Sequence, residues 1–122
     1  MQERPNVIVD KTFEFALLIV EFAEKLESTR KYVVANQLLK SGTSVGANVR
    51  EAQNAESKAD FIHKMKIAAK EADETEYWLL LCQKSENYPD CDLLQKEVKE
   101  IVRILSKIIA SSKINRINAN RN

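Results

Sequence analysis

Apolar residues recur along this chain at a spacing near 3.6, and no β-branched run alternates with period two, so the pattern predicts helices and no strands. Four segments carry it. The first, over 10–27, begins at Asp10 as N-cap and places Phe15, Leu18, Ile19, Phe22 and Leu26 on one face. Phe13, Ala16, Leu17, Val20 and Ala23 form a second apolar face, more than one side of a small bundle needs, and burial in an oligomer would account for it. The second segment, 31–55, gathers Leu38, Leu39, Gly42, Val45, Gly46, Val49 and Ala52 within one arc. Both glycines of the chain lie in that arc. Each costs roughly 1 kcal/mol relative to Ala inside a helix, which predicts close approach by a neighbouring helix.

Opposite that arc, Gln37, Ser41, Ser44, Asn48 and Glu51 form a polar stripe with a single charge. Two readings stand for it: a hydrogen-bonded or subunit-facing surface, or a plainly solvated one. The third segment, 58–87, opens at Ser57-Lys58-Ala59-Asp60, a capping box with Asp in place of Glu. Its seam is Phe61, Met65, Ala68, Ala72, Thr75, Leu79 and Cys82, spaced four and three for bundle packing. The fourth, 90–112, follows Pro89 and carries Leu94, Val98, Ile101, Leu105 and Ile108. The ends, 1–6 and 114–122, are expected to be flexible. Helices of about 20 to 28 residues are roughly 30 to 40 Å long. Joined by short loops, they predict a single all-α domain over 1–122, an antiparallel up-down-up-down four-helix bundle.

At 122 residues and 13.9 kDa the chain is long enough to bury about two-thirds of its surface without disulfides or metal. Its longest apolar run, Phe15 to Val20, is closed by Glu14 and Glu21, so neither a membrane span nor a signal peptide is expected, and the default compartment is cytoplasmic. Cys82 and Cys91 form no CxxC and are read as free thiols.

Catalytic and metal chemistry find little support. A di-iron bundle needs two Glu-x-x-His motifs, and His63, the one histidine, follows Asp60 in a near miss that nothing completes. His63 reads as a helix-surface residue. Cys82 belongs to the seam, whereas Cys91, at the start of the last helix, could have a depressed pKa. The run Glu71, Asp73, Glu74 and Glu76 lacks convergent partners for acid–base work, and there is no Gly-rich phosphate loop. No enzyme activity and no metal or other cofactor is expected.

Charge gives one positive signal. The formal net charge is only +1, yet no acid follows Glu100, while Arg103, Lys107, Lys113, Arg116 and Arg121 do. Lys40 and Arg50 add cations on the second helix. A solvated surface with a basic final turn suited to the helix dipole is one reading, and phosphate-backbone binding is the other.

The segment Gln37-Leu38-Leu39-Lys40-Ser41-Gly42-Thr43-Ser44-Val45-Gly46-Ala47-Asn48-Val49-Arg50-Glu51-Ala52, followed by Ser57-Lys58-Ala59-Asp60-Phe61 and by residues Lys70 to Leu79, resembles the bacterial four-helix-bundle proteins encoded by intervening sequences in large-subunit ribosomal RNA genes. The likeness runs from about Asn6 to Lys113, and the accessory protein of diversity-generating retroelements is a related branch. The resemblance implies an antiparallel bundle assembled into a pentameric ring with a central channel. In the retroelement branch it also implies a basic surface that associates with nucleic acid and with a reverse transcriptase. No catalytic residues are assigned in the intervening-sequence branch. Lys40 falls where the family motif is basic, and with Arg50 it is an expected phosphate contact alongside Arg103, Lys107, Lys113 and Arg116. Ser41, Gly42, Ser44, Gly46, Asn48 and Glu51 are assigned to helix packing and subunit contact, and Glu71, Glu74 and Trp78 to structural roles. The retroelement proteins are markedly basic and this chain is near neutral, which implies weaker, salt-sensitive binding or none. Two functions follow: an oligomeric accessory protein that binds nucleic acid, RNA ahead of DNA, or a scaffold that docks a partner protein with no nucleic acid involved.

Overall fold

The computed structural model describes residues 6–120, and these contain four helices and no strand. They are α1 (Val7–Ser28), α2 (Tyr32–Ala52), α3 (Lys58–Lys84) and α4 (Asp92–Asn120). α1 packs on α2 and α4, and α3 packs on α2 and α4. Among the described residues neither α1 with α3 nor α2 with α4 makes a comparable contact, so the helices stand in chain order around one core. No helix among the described residues is long and apolar enough to cross a membrane.

α1 starts three residues before the expected cap. Ile8 is buried and draws the first turn onto the core, so Asp10 lies inside that turn, where its charge suits the helix dipole, and Asn6 is the N-cap. α1 ends in a Schellman motif: the Arg30 amide donates to the Glu27 carbonyl and the Lys31 amide to the Leu26 carbonyl, each at 2.9 Å. Arg30 takes the left-handed conformation, φ 63°, that glycine usually supplies there. At the start of α3 the Ser57 hydroxyl accepts from the Asp60 amide at 3.0 Å, as the capping box predicts. The reciprocal bond comes from one residue further back, the Glu56 amide donating to the Asp60 carboxylate at 3.2 Å.

The core collects Phe15, Ile19, Phe22 and Leu26 from α1, Leu38, Val45 and Val49 from α2, Met65, Leu79 and Cys82 from α3, and Leu94, Val98, Ile101 and Leu105 from α4. Two details of the expected stripes change. Ile62, not Phe61, fills the first seam position of α3, because Phe61 stays half-buried beneath the Lys58 ammonium, 5.6 Å from its ring centroid. Ile108 is half-buried, and Ser112 is buried further along. α4 also runs on to Asn120, past the expected end at 112, since no Gly or Pro interrupts it once the helix is nucleated. Of the ends expected to be flexible, residues 1–5 and 121–122, with Arg121, lie outside the described residues.

The two glycines sit against α1. A Cβ on Gly42 would stand 2.8 Å from both Cγ1 and Cγ2 of buried Ile19, and one on Gly46 would stand 3.1 Å from the Thr12 carbonyl oxygen. Thr12 itself is buried and donates its hydroxyl to the Ile8 carbonyl at 2.7 Å, which keeps that backbone edge compact. Gly42→Ala gains about 1 kcal/mol of helix propensity but incurs about 1 to 3 kcal/mol of overpacking. The expected result in urea unfolding is a net loss of up to about 2 kcal/mol, with Ile19→Ala costing less in the Gly42→Ala background than in the wild type.

Candidate nucleic-acid and subunit surfaces

The expected phosphate contacts fall into two groups. Lys40 and Arg50 are exposed on α2, ten residues and so about 15 Å apart, while Arg103, Lys107 and Lys113 are exposed on α4. The Arg116 side chain lies outside the described residues. Because α2 and α4 do not pack on one another, the structure does not bring the two groups together.

The α4 group acquires a member that the sequence pattern had not singled out. Lys96, Arg103 and Lys107 are all exposed, and their spacing of i, i+7 and i+11 sets them in one line over about 16 Å of helix. Two carboxylates in the same stretch, Glu97 and Glu100, would break up that positive line. Both are instead gathered by Lys11 of α1, whose ammonium donates to Glu97 at 2.7 Å and to Glu100 at 3.0 Å. The hydrogen bond to Glu97 raises the Lys11 pKa against the opposing effect of burial. The hydrogen bond from Lys11 lowers the Glu100 pKa, with Lys96 and Arg103 adding to the effect. The spacing of Lys96 to Arg103 could have been found in the sequence; the removal of the two acids could not, since it depends on a contact between the first and last helices.

Three members of the low-charge polar stripe of α2, Ser41, Ser44 and Asn48, are hydrogen-bonded. Ser41 is fully buried, with its hydroxyl 2.9 Å from that of Thr75 on α3. Thr75 Oγ1 also lies 2.8 Å from the Glu71 carbonyl, which can only accept, so Thr75 donates there and Ser41 supplies the proton between the hydroxyls. Ser44 donates to the Lys40 carbonyl at 2.6 Å, and Asn48 to the Ser44 carbonyl at 2.8 Å. Glu51 and Glu74 are exposed, and Glu71 is half-buried. Trp78 is half-buried edge-on to Tyr77, and its indole Nε1 is buried with no hydrogen-bond partner among the described residues.

The residues weighed for catalysis do not converge. His63 is exposed, and the described residues hold no cluster of three His, Cys, Asp or Glu side chains able to bind a metal. Cys82 and Cys91 are both free and buried. Burial pushes the Cys82 thiol up to about 12. It also raises that of Cys91, with Asp90 and Asp92 adding to the effect, which is the opposite of the depression considered for a helix start.

Two grooves mark the outer surface. One, of about 370 Å³, lies between α1 and α2, with Phe13 and Ala16 on one wall, Gly46 and Ala47 on its floor, and Asp10 and Arg50 at its rim. The other, of about 500 Å³, lies between α3 and α4 and is lined by Tyr77 and Leu80 together with Asp73, Glu76 and Lys99. Phe13 and Leu17 are 57% and 54% exposed, Tyr77 and Leu80 57% and 47%, so both grooves adjoin apolar surface left to solvent.

Known proteins match over most of the chain. The family described as 23S rRNA-intervening sequence protein matches residues 4–107. Among solved structures, the chain is similar to a protein of unknown function from the S23 ribosomal protein family of Bacteroides thetaiotaomicron VPI-5482, with 45% identity and a TM-score of 0.80. That match covers 84% of this chain and 97% of the other. No functionally curated protein matches.

The Lys11 contacts predict a definite pH response. The lowered Glu100 pKa contributes stability that is present above the ordinary carboxyl value of 4.5 and is lost as pH falls through the folded value. The raised Lys11 pKa contributes stability that is present below 10.5 and is lost as pH rises through its folded value. Lys11→Met is therefore expected to lower the urea midpoint at pH 7, and the gap from wild type should narrow as the pH falls through the folded value of Glu100.

Proposed function

The chain belongs to the 23S rRNA-intervening sequence protein family, and from that premise we propose that it is a non-enzymatic, homo-oligomeric accessory protein that binds nucleic acid through the outer face of α4. The observation that carries this reading is the line Lys96, Arg103 and Lys107, exposed together while Lys11 holds the neighbouring carboxylates. Clustered cations displace counterions from a phosphate backbone, and clustering rather than net charge governs that attraction. A chain of net charge +1 can therefore still present a binding face. RNA is the preferred ligand, a choice supported by the reference to 23S rRNA in the family's description. The protein works in the cytoplasm, where that RNA is made, and Lys40 and Arg50 are not part of the α4 surface.

Within each protomer the helices run up, down, up and down. This is supported by the order of contacts: Asn6 meets Gln53, Thr12 faces Gly46 and Ile19 faces Gly42, so positions fall along α2 as they rise along α1. The exposed apolar side chains at both grooves support self-association, and a five-membered ring follows from the family resemblance. The same exposed side chains favour a second reading, a scaffold that captures a partner protein through apolar contact without nucleic acid.

Salt separates the two. With three cations engaged per protomer, log affinity for a labelled structured RNA should fall against log salt with a slope of about −2.7, or about 40-fold between 50 and 200 mM. Arg103→Glu with Lys107→Glu is expected to reduce binding at least tenfold at low salt while leaving the native mass unchanged. RNA binding indifferent to both salt and these substitutions, or no RNA binding by the wild type, would overturn the nucleic-acid reading.

A further inference from the structure

Lys11 holds both Glu97 and Glu100, yet the two carboxylates are not equivalent. Side chains three and four positions apart on a helix are neighbours. At those spacings Glu97 finds Leu93, Leu94, Glu100 and Ile101, none of them a cation. Glu100 finds Lys96 four positions before it and Arg103 three positions after it, both exposed and both members of the basic line. Glu100 therefore has two alternative sets of partners: Lys11 across the α1/α4 contact, or Lys96 and Arg103 along its own helix. It takes the first, at 3.0 Å, and makes no ion pair with Lys96 or Arg103 among the described residues. The Lys11 hydrogen bond is also the largest cause of the lowered Glu100 pKa, with Lys96 and Arg103 contributing less. Glu97 supplies the anchor, since it lies closer to the Lys11 ammonium, at 2.7 Å, and is the less exposed of the two acids.

We propose that Lys11 controls nucleic-acid binding on α4 without touching the nucleic acid: anchored by Glu97, it holds Glu100 away from Lys96 and Arg103 and keeps both cations open to phosphate. Glu100 is then a built-in competitor. Released from Lys11, its carboxylate pairs with Lys96 or Arg103, and its charge opposes the approach of a phosphate. Lys11 is a positioning residue here and not a contact, because its ammonium is committed to two carboxylates on a side chain only 20% exposed. Withdrawal of α1 from α4, or loss of the Lys11 charge, therefore closes the basic line. The inference rests on the proposal that the outer face of α4 binds nucleic acid, and it adds how that face is regulated.

The test measures binding of a labelled structured RNA across a salt series, with helicity and cooperative unfolding verifying that each variant folds. Lys11→Met is expected to lower affinity about tenfold at low salt and to flatten the slope from about −2.7 to about −1.8, as Glu100 takes one cation of the three. Adding Glu100→Gln to Lys11→Met should return affinity and slope to the wild-type values. The urea midpoint should stay low in that double variant, because the α1/α4 ion pair is not rebuilt, which separates the effect on binding from the effect on stability. Adding Glu97→Gln instead gives the same net charge but should not restore binding, since Glu97 has no cation within reach on its own helix. Lys11→Arg, which keeps the positive charge, should bind as the wild type does. Wild-type affinity in Lys11→Met, equal rescue by the two glutamate changes, or a loss that Glu100→Gln does not repair each overturns this control. Those outcomes leave the α4 site standing, because Arg103→Glu with Lys107→Glu tests that site separately. No RNA binding by the wild type overturns the site and its control together.

Discussion

The close approach of α1 and α2 at Gly42 and Gly46 is the constraint on which the rest of the structure turns. Ile19 occupies the space that a Gly42 side chain would need, and the Thr12 backbone lies over Gly46. With α1 held that near, its buried edge is Ile8, Thr12, Phe15, Ile19, Phe22 and Leu26. The flank with Phe13 and Leu17 is left outside. A thicker side chain at either glycine would move α1 outward and alter both the core and the small-residue floor of the outer groove. Two residues that disfavour a helix interior thus set the packing of one side of the bundle and the shape of its surface.

The other α1 contact is electrostatic. Lys11 lies between Glu97 and Glu100, tying the first helix to the last and completing the circuit of four. Its effect extends beyond packing. Nearly equal numbers of acids and bases give the chain a net charge of +1, but the distribution is uneven once these two carboxylates are paired with Lys11. What remains on the exposed side of α4 is Lys96, Arg103 and Lys107. A structural ion pair at an interhelical contact therefore shapes the field of the adjoining surface of the same helix.

Much of the fold was legible in the sequence because helical periodicity is local. The seam Met65, Ala68, Ala72, Thr75, Leu79, Cys82 reads directly from a spacing of three and four, and all six residues are buried. The misplacements fall at helix ends, where a few neighbours decide. Ile8 pulls the start of α1 forward, and Lys58 holds Phe61 at the edge of the core. The end of α1 at Ser28 falls one residue past the expected 27, although the left-handed position at Arg30 carries no glycine. Function was less legible because it depends on distances across the bundle. Periodicity places Lys40 on a face of α2 and Lys107 on a face of α4, but it cannot say that those helices stand apart, nor that Lys11 reaches Glu97. Ser41 illustrates the same limit: its place in a polar stripe was plain, while its burial against Thr75 required the neighbouring helix.

The basic line and the groove between α3 and α4 use different sides of α4. Lys99, three residues from Lys96, turns toward α3 and lines the groove between α3 and α4. Lys96, Arg103 and Lys107 lie along the adjoining outer arc and are not among the residues lining either groove. An assembly of copies that leaves this line uncovered repeats it once per copy. Three cations on one protomer attract a polyanion weakly, and linked repeats convert later contacts into intramolecular ones, raising avidity without any new kind of contact. In that arrangement the assembly supplies what the modest charge of a single chain lacks.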